Sequence, residues 1–181
     1  MLNDSLIIKH FKDQWKQMVI VERSGSDLLI TDRSVIVRLP DIHKLFNDRA
    51  MFPELPTDGE CFNYSKQRPI NKQGLGIQRL IDQIVKGGLR VLAPTDWQFC
   101  GKTNARLFYS DNVPIFIDQK FLDLFNDSFA LRGNKANSPI IMGSDDYVIG
   151  AIMPVSIRLQ PENIFPAHLK FDITEETGGK R

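Results

Sequence analysis

Apolar positions along this chain follow two periods, and the changes between them predict the elements. Ile7, Phe11 and Trp15 stand four apart, which predicts a helix over Leu6–Lys16 with Asp4 or Ser5 as its N-cap. Met18–Glu22, Leu28–Thr31 and Val35–Leu39 are short β-type runs, the first two separated by the turn Ser24-Gly25-Ser26-Asp27. Pro40-Asp41 opens a short helix with Ile42, Leu45 and Phe46 apolar. Between residues 49 and 73, Pro53, Pro56, Gly59 and Pro69 break any long element and leave one strand near Cys61–Tyr64. The strongest helical stripe follows: Ile77, Leu80, Ile81, Ile84 and Val85, stopped by Gly87-Gly88, with Gln78, Arg79, Gln83 and Lys86 facing away. Strands are predicted at Leu89–Leu92, around Trp97–Cys100, at Arg106–Tyr109 and at Pro114–Ile117. Asp118 then caps a short helix with Phe121, Leu122, Leu124 and Phe125 apolar, its Phe121/Phe125 stripe reading as core. Phe129–Leu131, Pro139–Met142 and Tyr147–Ile157 are the last strands, the final two joined by Gly143-Ser144-Asp145-Asp146.

The pattern partly repeats. Shifted by 79 places without gaps, Val19–Asp48 lies over Gln98–Asp127 with seven identities: Leu28/Leu107, Asp32/Asp111, Ile36/Ile115, Leu45/Leu124, Phe46/Phe125, Asn47/Asn126 and Asp48/Asp127. Self-similarity at a fixed offset implies a duplicated supersecondary unit. The expected fold is therefore α+β, two related halves of antiparallel strands with short helices. The first half with its loop junction is residues 1–73, the second 74–160, and 161–181 form a polar tail.

Composition narrows the function classes. A chain of 181 residues with 42% hydrophobic content can bury a proper core. Its 23 basic and 22 acidic residues nearly cancel, so no global basic field holds nucleic acid. Cys61 and Cys100 fit no metal or redox spacing and read as reduced, half-buried thiols. Without a signal segment or an apolar run of about 18–20 residues, the expectation is a soluble, cytoplasmic protein with no membrane partner.

The candidate chemistries are thin. Gly74-Leu75-Gly76 lacks the rest of a phosphate loop, and His10, His43 and His168 stand singly, without metal-ligand spacing. Asp145-Asp146 suits a strand-joining turn better than a cation site. Cys100 with Asp96 and His10 or His43 would make a nucleophile set only if the fold assembled it. No catalytic residue, metal or cofactor is called for. Lys9, Lys12 and Lys16 share one side of the first helix, and with Arg79 and Lys86 they are the candidate DNA-binding residues.

The closing segment, Ser138-Pro139-Ile140-Ile141-Met142 and then Tyr147 through Met153-Pro154-Val155, resembles the final hairpin of bacterial DNA polymerase sliding clamps. Val113–Phe125 is similar to the strand-into-helix segment of the same family. The resemblance covers about 45 residues. It implies repeated units of helix and strands, and it places Met153, Pro154 and Val155 at a partner-peptide groove. Clamps are three-domain chains with Lys- and Arg-rich inner helices, whereas Gln119–Asp127 carries one Lys and two Asp.

The leading expectation is a non-enzymatic, clamp-like accessory protein of DNA replication or of a mobile element. It would bind a peptide of a replication or mobile-element protein in extended form, by main-chain pairing and side-chain pockets, and DNA through the basic residues. The alternative is a structural or regulatory protein-binding module with no DNA contact; an enzyme is a third class. The sequence leaves homo-oligomer formation open.

Overall fold

The computed structural model describes residues 2–72, 76–101, 103–125, 129–144 and 147–157, and the backbone of 164–166. Gly74-Leu75, Asp145-Asp146, His168 and most of the polar tail lie outside the described residues. Helix α1 (Asp4–Gln14) leads into β1 (Val19–Ser24), β2 (Asp27–Thr31) and β3 (Val35–Pro40), followed by a 3-10 turn at Lys44–Asn47. Strands β4 (Cys61–Ser65) and β5 (Arg68–Asn71) precede α2 (Ile77–Lys86). Next come β6 (Arg90–Val91), β7 (Ala93–Phe99), β8 (Ala105–Ser110), β9 (Val113–Asp118) and the single-turn helix α3 (Gln119–Leu122). Strands β10 (Leu131–Gly133), β11 (Ile140–Gly143), β12 (Val148–Ile152) and β13 (Ile164–Pro166) follow. The fold is α+β, mostly antiparallel strands with a few short helices.

Several local expectations are corrected. The α1 cap is Asn3, whose side chain accepts from the Leu6 N–H at 3.3 Å, while Asp4 begins the first turn. Ile42 is 84% exposed, because the short helix starts two residues later, capped by the His43 ring. Strand β5 forms in spite of Pro69. It is an edge strand, where a residue without an N–H leaves no partner unsatisfied. The tenth strand runs from Leu131 to Gly133 rather than from Phe129 to Leu131.

Nine strands make one antiparallel sheet in the order β5-β4-β1-β2-β3-β12-β11-β10-β6. It runs through the division expected at residue 73, since β12 pairs with β3 through Gly150↔Val37 and Ala151↔Ile36. The second sheet is β13-β7-β8-β9. Strict alternation sorts the large sheet into two faces. Val19, Val21, Leu28, Ile30, Val35, Val37, Phe62, Tyr64, Ile140 and Ile152 point into the main core. There they meet Ile7 and Phe11 of α1, Phe46, Phe52, and Phe108, Ile115 and Ile117 of the small sheet. Ile20, Leu29, Ile36, Cys61, Ile141 and Ala151 point the other way and meet Ile77 and Ile81 of α2. Helices α1 and α2 therefore lie on opposite faces of the large sheet.

The two similar stretches share an order of three antiparallel strands and a short helix, and differ in detail. Leu28 pairs with Leu39, but Leu107 pairs with Phe116, a shift of two residues that keeps every side chain on its face. The second hairpin closes through only Asp111-Asn112, with Asp111 left-handed at φ 52°. Phe46 and Phe125 are both buried in the main core. The Phe125 ring packs close to Gly150 of β12, where a Cβ would meet the Ile36 carbonyl oxygen and come within 2.7 Å of the ring. Gly150→Ala is thus expected to cost about 1–3 kcal/mol by overpacking. Urea denaturation tests this; an unchanged midpoint would show that strand and ring separate freely.

Candidate functional site

The site is built where α2 packs on the second face of the large sheet, whose residues Ile20, Ile36 and Ala151 are buried beneath it. Helix α2 begins at Gly76, which offers no side-chain cap. Its first amides are met from the sheet: the Glu22 carboxylate of β1 accepts from the Ile77 N–H and, at 3.3 Å, from the Gln78 N–H. A carboxylate at a helix N-terminus satisfies orphan donors and complements the helix dipole. Burial pushes the Glu22 carboxyl up, with the two N–H bonds opposing and Asp82 adding to the rise. Gln78 does not face away as expected. Its Oε1 accepts from Ser24 Oγ at 3.2 Å and from Arg38 Nη2 at 2.8 Å. Arg38 also donates to the Val148 carbonyl and pairs with Asp27. The helix is clamped at this polar end and by Ile77 and Ile81 beneath it.

Beside α2 runs a groove of about 470 Å³. Its floor is Ile20, Ile36 and Ala151, one wall is Ile77, Leu80 and Gln83, and its far end holds Pro139 and Met153. Leu80 and Met153 are 45% and 38% exposed, high for large apolar side chains. The stripe read from the sequence is therefore split: Ile77 and Ile81 pack on the sheet, and Leu80 opens into the groove. Two charged side chains line it, Arg33 and Arg79, and both are exposed. Among the described residues no carboxylate lines it.

Arg33 is held there by a rigid turn. Its φ is 79°, in the left-handed region that non-glycine residues enter at a cost. Thr31 Oγ1 accepts the Arg33 N–H at 2.9 Å, and Asp32 Oδ1 accepts those of Ser34 and Val35 at 2.8 and 3.0 Å. The other Asp32 oxygen meets His10 Nε2 of α1 at 3.0 Å. Burial pushes the Asp32 carboxyl up, but the His10 bond and the two N–H bonds outweigh it, and the carboxyl lies below the usual aspartate range. A folded-state pKa below the unfolded one means stability that is present above the usual aspartate range. It is lost as pH falls through the lowered value. Asp32→Asn is expected to cost about 1–2 kcal/mol at neutral pH and to flatten the acid limb of the stability curve. Urea unfolding between neutral pH and about pH 3 reads both effects.

The peptide-binding expectation lands in part on this groove. Met153 lines it, while half-buried Pro154 and Val155 turn toward the small sheet, the Val155 N–H donating to the Phe116 carbonyl at 2.8 Å. The extended pairing expected for a ligand finds no free edge at the floor. Strand β1 is paired by β2 and β4, β3 by β2 and β12, and β12 by β3 and β11. The Met153 N–H is taken by the Ser34 carbonyl.

The five basic candidates do not come together. Lys9 and Lys12 ride on α1 and Lys16 lies in the turn after it, over one face of the large sheet; Arg79 and Lys86 ride on α2, over the other. Lys12 pairs with Asp48 at 2.9 Å and Lys16 with Asp13 at 3.6 Å. Arg79 belongs to the groove instead.

The nucleophile set is not assembled either. His10 is engaged by Asp32, and His43 Nδ1 accepts the Leu45 N–H. Burial pushes both thiols up, Cys61 to about 11 with Glu22 adding to the rise. A second hollow, about 410 Å³, lies between the sheets around Phe108, Phe125, Phe129 and Arg106. Sequence reasoning missed Leu80 and Arg33 as groove residues. Leu80 looked like core, and a charged residue in a turn gave no signal.

Among the described residues no helix is long and apolar enough to cross a membrane. No protein-family model, curated protein or solved structure matches the chain.

Proposed function

We propose that this chain is a non-enzymatic protein-binding module whose site is the groove beside α2. The carrying observation is the groove beside α2, into which the large apolar side chains Leu80 and Met153 stand exposed. A nine-stranded sheet is about 40 Å across at the spacing of paired strands, and a helix with its side chains is about 10–12 Å wide. One ten-residue helix spans only part of that width, and beside it Leu80 and Met153 stand open over a groove whose floor residues are themselves buried. Contiguous exposed apolar surface with a polar rim marks an interaction site. Because the floor strands are fully paired, the ligand is held by side chains, and a short helix laid beside α2 fits better than an added strand. A replication or mobile-element protein is the partner that the clamp resemblance suggests. The DNA-contacting part of that reading draws no support from the basic residues, which are divided between two faces.

Selection of displayed random peptides against the protein tests the reading. Binders are expected to weaken about thirtyfold on Leu80→Glu, the threshold of an interface hot spot. The half-exposed position should keep the thermal midpoint within a few degrees. Recovered binders that are all indifferent to Leu80→Glu would remove the groove as the site.

A further inference from the structure

We infer that the groove takes an amphipathic helix flanked by acidic residues, with Arg33 and Arg79 reading the acids at its two rims; this rests on the protein-binding reading above. The groove is apolar along its length and carries positive charge only. Among the described residues neither arginine is in an ion pair. Arg23 pairs with Asp41, Arg38 with Asp27 and Arg90 with Asp111, while Arg49 and Arg68, like Arg33 and Arg79, are in no ion pair among the described residues. What sets Arg33 and Arg79 apart is place: both are exposed and both line the apolar groove. Their positions differ in kind. Arg79 projects from α2, one residue before Leu80, and can follow a ligand along the wall. Arg33 is fixed by a turn whose every amide from Arg33 to Val35 is held by Thr31 or Asp32. An arginine kept at φ 79°, where glycine would sit without strain, is a costly choice unless its side chain is used. A helix packed about 8–10 Å from α2 would set apolar residues at i, i+3, i+4 and i+7 into the groove against the exposed Leu80 and Met153. Its flanking Asp and Glu side chains would then meet the two guanidiniums, which favour carboxylates by bidentate geometry.

The test uses the full chain and displayed peptide libraries of about fifteen residues, long enough to be helical when bound. All share Leu, Ile, Met or Phe at the four apolar positions, and differ in flanks of Asp and Glu, of Gln, or of Lys and Arg. The acidic library is expected to yield the tightest binders. Exchanging their acids for Gln should weaken them several-fold, and less so at high salt. Arg79→Gln and Arg33→Gly should each weaken acidic binders about two- to fivefold and leave Gln-flanked binders unchanged. Arg33→Gly relieves the left-handed backbone, so its thermal midpoint should hold or rise, and lost affinity there cannot be misfolding. Gln-flanked peptides binding as tightly as acidic ones would overturn the acid reading while leaving the groove in place. The inference falls together with the groove reading if no library yields a binder sensitive to Leu80→Glu. Two other results would also overturn it: oleate binding that Leu80→Glu abolishes in the absence of any peptide binder, or self-association of the chain that Leu80→Glu abolishes, the groove then being covered by a second copy.

Discussion

Phe11→Ala is expected to lower the unfolding free energy by about 3–5 kcal/mol, the usual cost of removing a fully buried ring. Phe11 has no exposed surface and stands edge-on to the His10 ring, with centroids 5.1 Å apart. It belongs to the main core, where α1, the large sheet and the small sheet all meet. The void would open among fully buried residues of two sheets and a helix, where closing it requires whole elements to shift. Chemical denaturation measures the loss. A change under about 1 kcal/mol would mean that α1 moves in to fill the cavity, and that it is held less firmly than its burial implies.

Ile81→Ala should cost about 2–4 kcal/mol, and it acts on the other face of the sheet. Ile81 is buried in the second apolar cluster, which also holds Ile77 and sheet residues from six strands. With so small a cluster, the loss is expected to fall on the docking of α2 itself. Glu22, Gln78 and Arg38 hold only its N-terminal end. The variant should therefore lose both stability and affinity for groove-directed peptides, because Leu80 and Arg79 move with the helix. Hydrogen exchange of the α2 amides separates local from global effects: faster exchange confined to α2 supports docking as the element at risk. A thermal midpoint unchanged by Ile81→Ala would show that the stripe is not core.

Much of the fold was legible from periodicity. The i, i+4 spacing of Ile7 and Phe11 marked α1, and the stripe from Ile77 to Val85 marked α2 to within a residue. Alternation in Val19–Val21, Leu28–Ile30 and Val35–Leu39 told which residues share a face, since side-chain direction in a strand depends on parity alone. Asp118 was readable as a cap because its role is local, the side chain accepting from Lys120 two residues on. Strand β5 was not readable, because Pro69 forbids a strand only where the N–H must pair, and being at an edge is a property of the sheet.

The groove needed the tertiary structure. Sequence placed Leu80 in an apolar stripe and Arg79 on a polar face, which is correct for an isolated helix. Which part of that stripe is covered depends on how wide a sheet lies beneath it, and the width came from non-local pairings such as β3 with β12. The same pairing brought Met153 to the Arg33 turn, across more than a hundred residues of chain. The basic residues show the converse. Spacing put Lys9, Lys12 and Lys16 on one side of a helix expected over Leu6–Lys16, but α1 ends at Gln14 and Lys16 lies in the turn after it. Their expected union with Arg79 and Lys86 required both helices on one face of the sheet, and the packing placed a sheet between them. Local chemistry, which acts over three or four residues, was written in the sequence. Coverage and juxtaposition depend on contacts distant along the chain, and only the folded chain decided them.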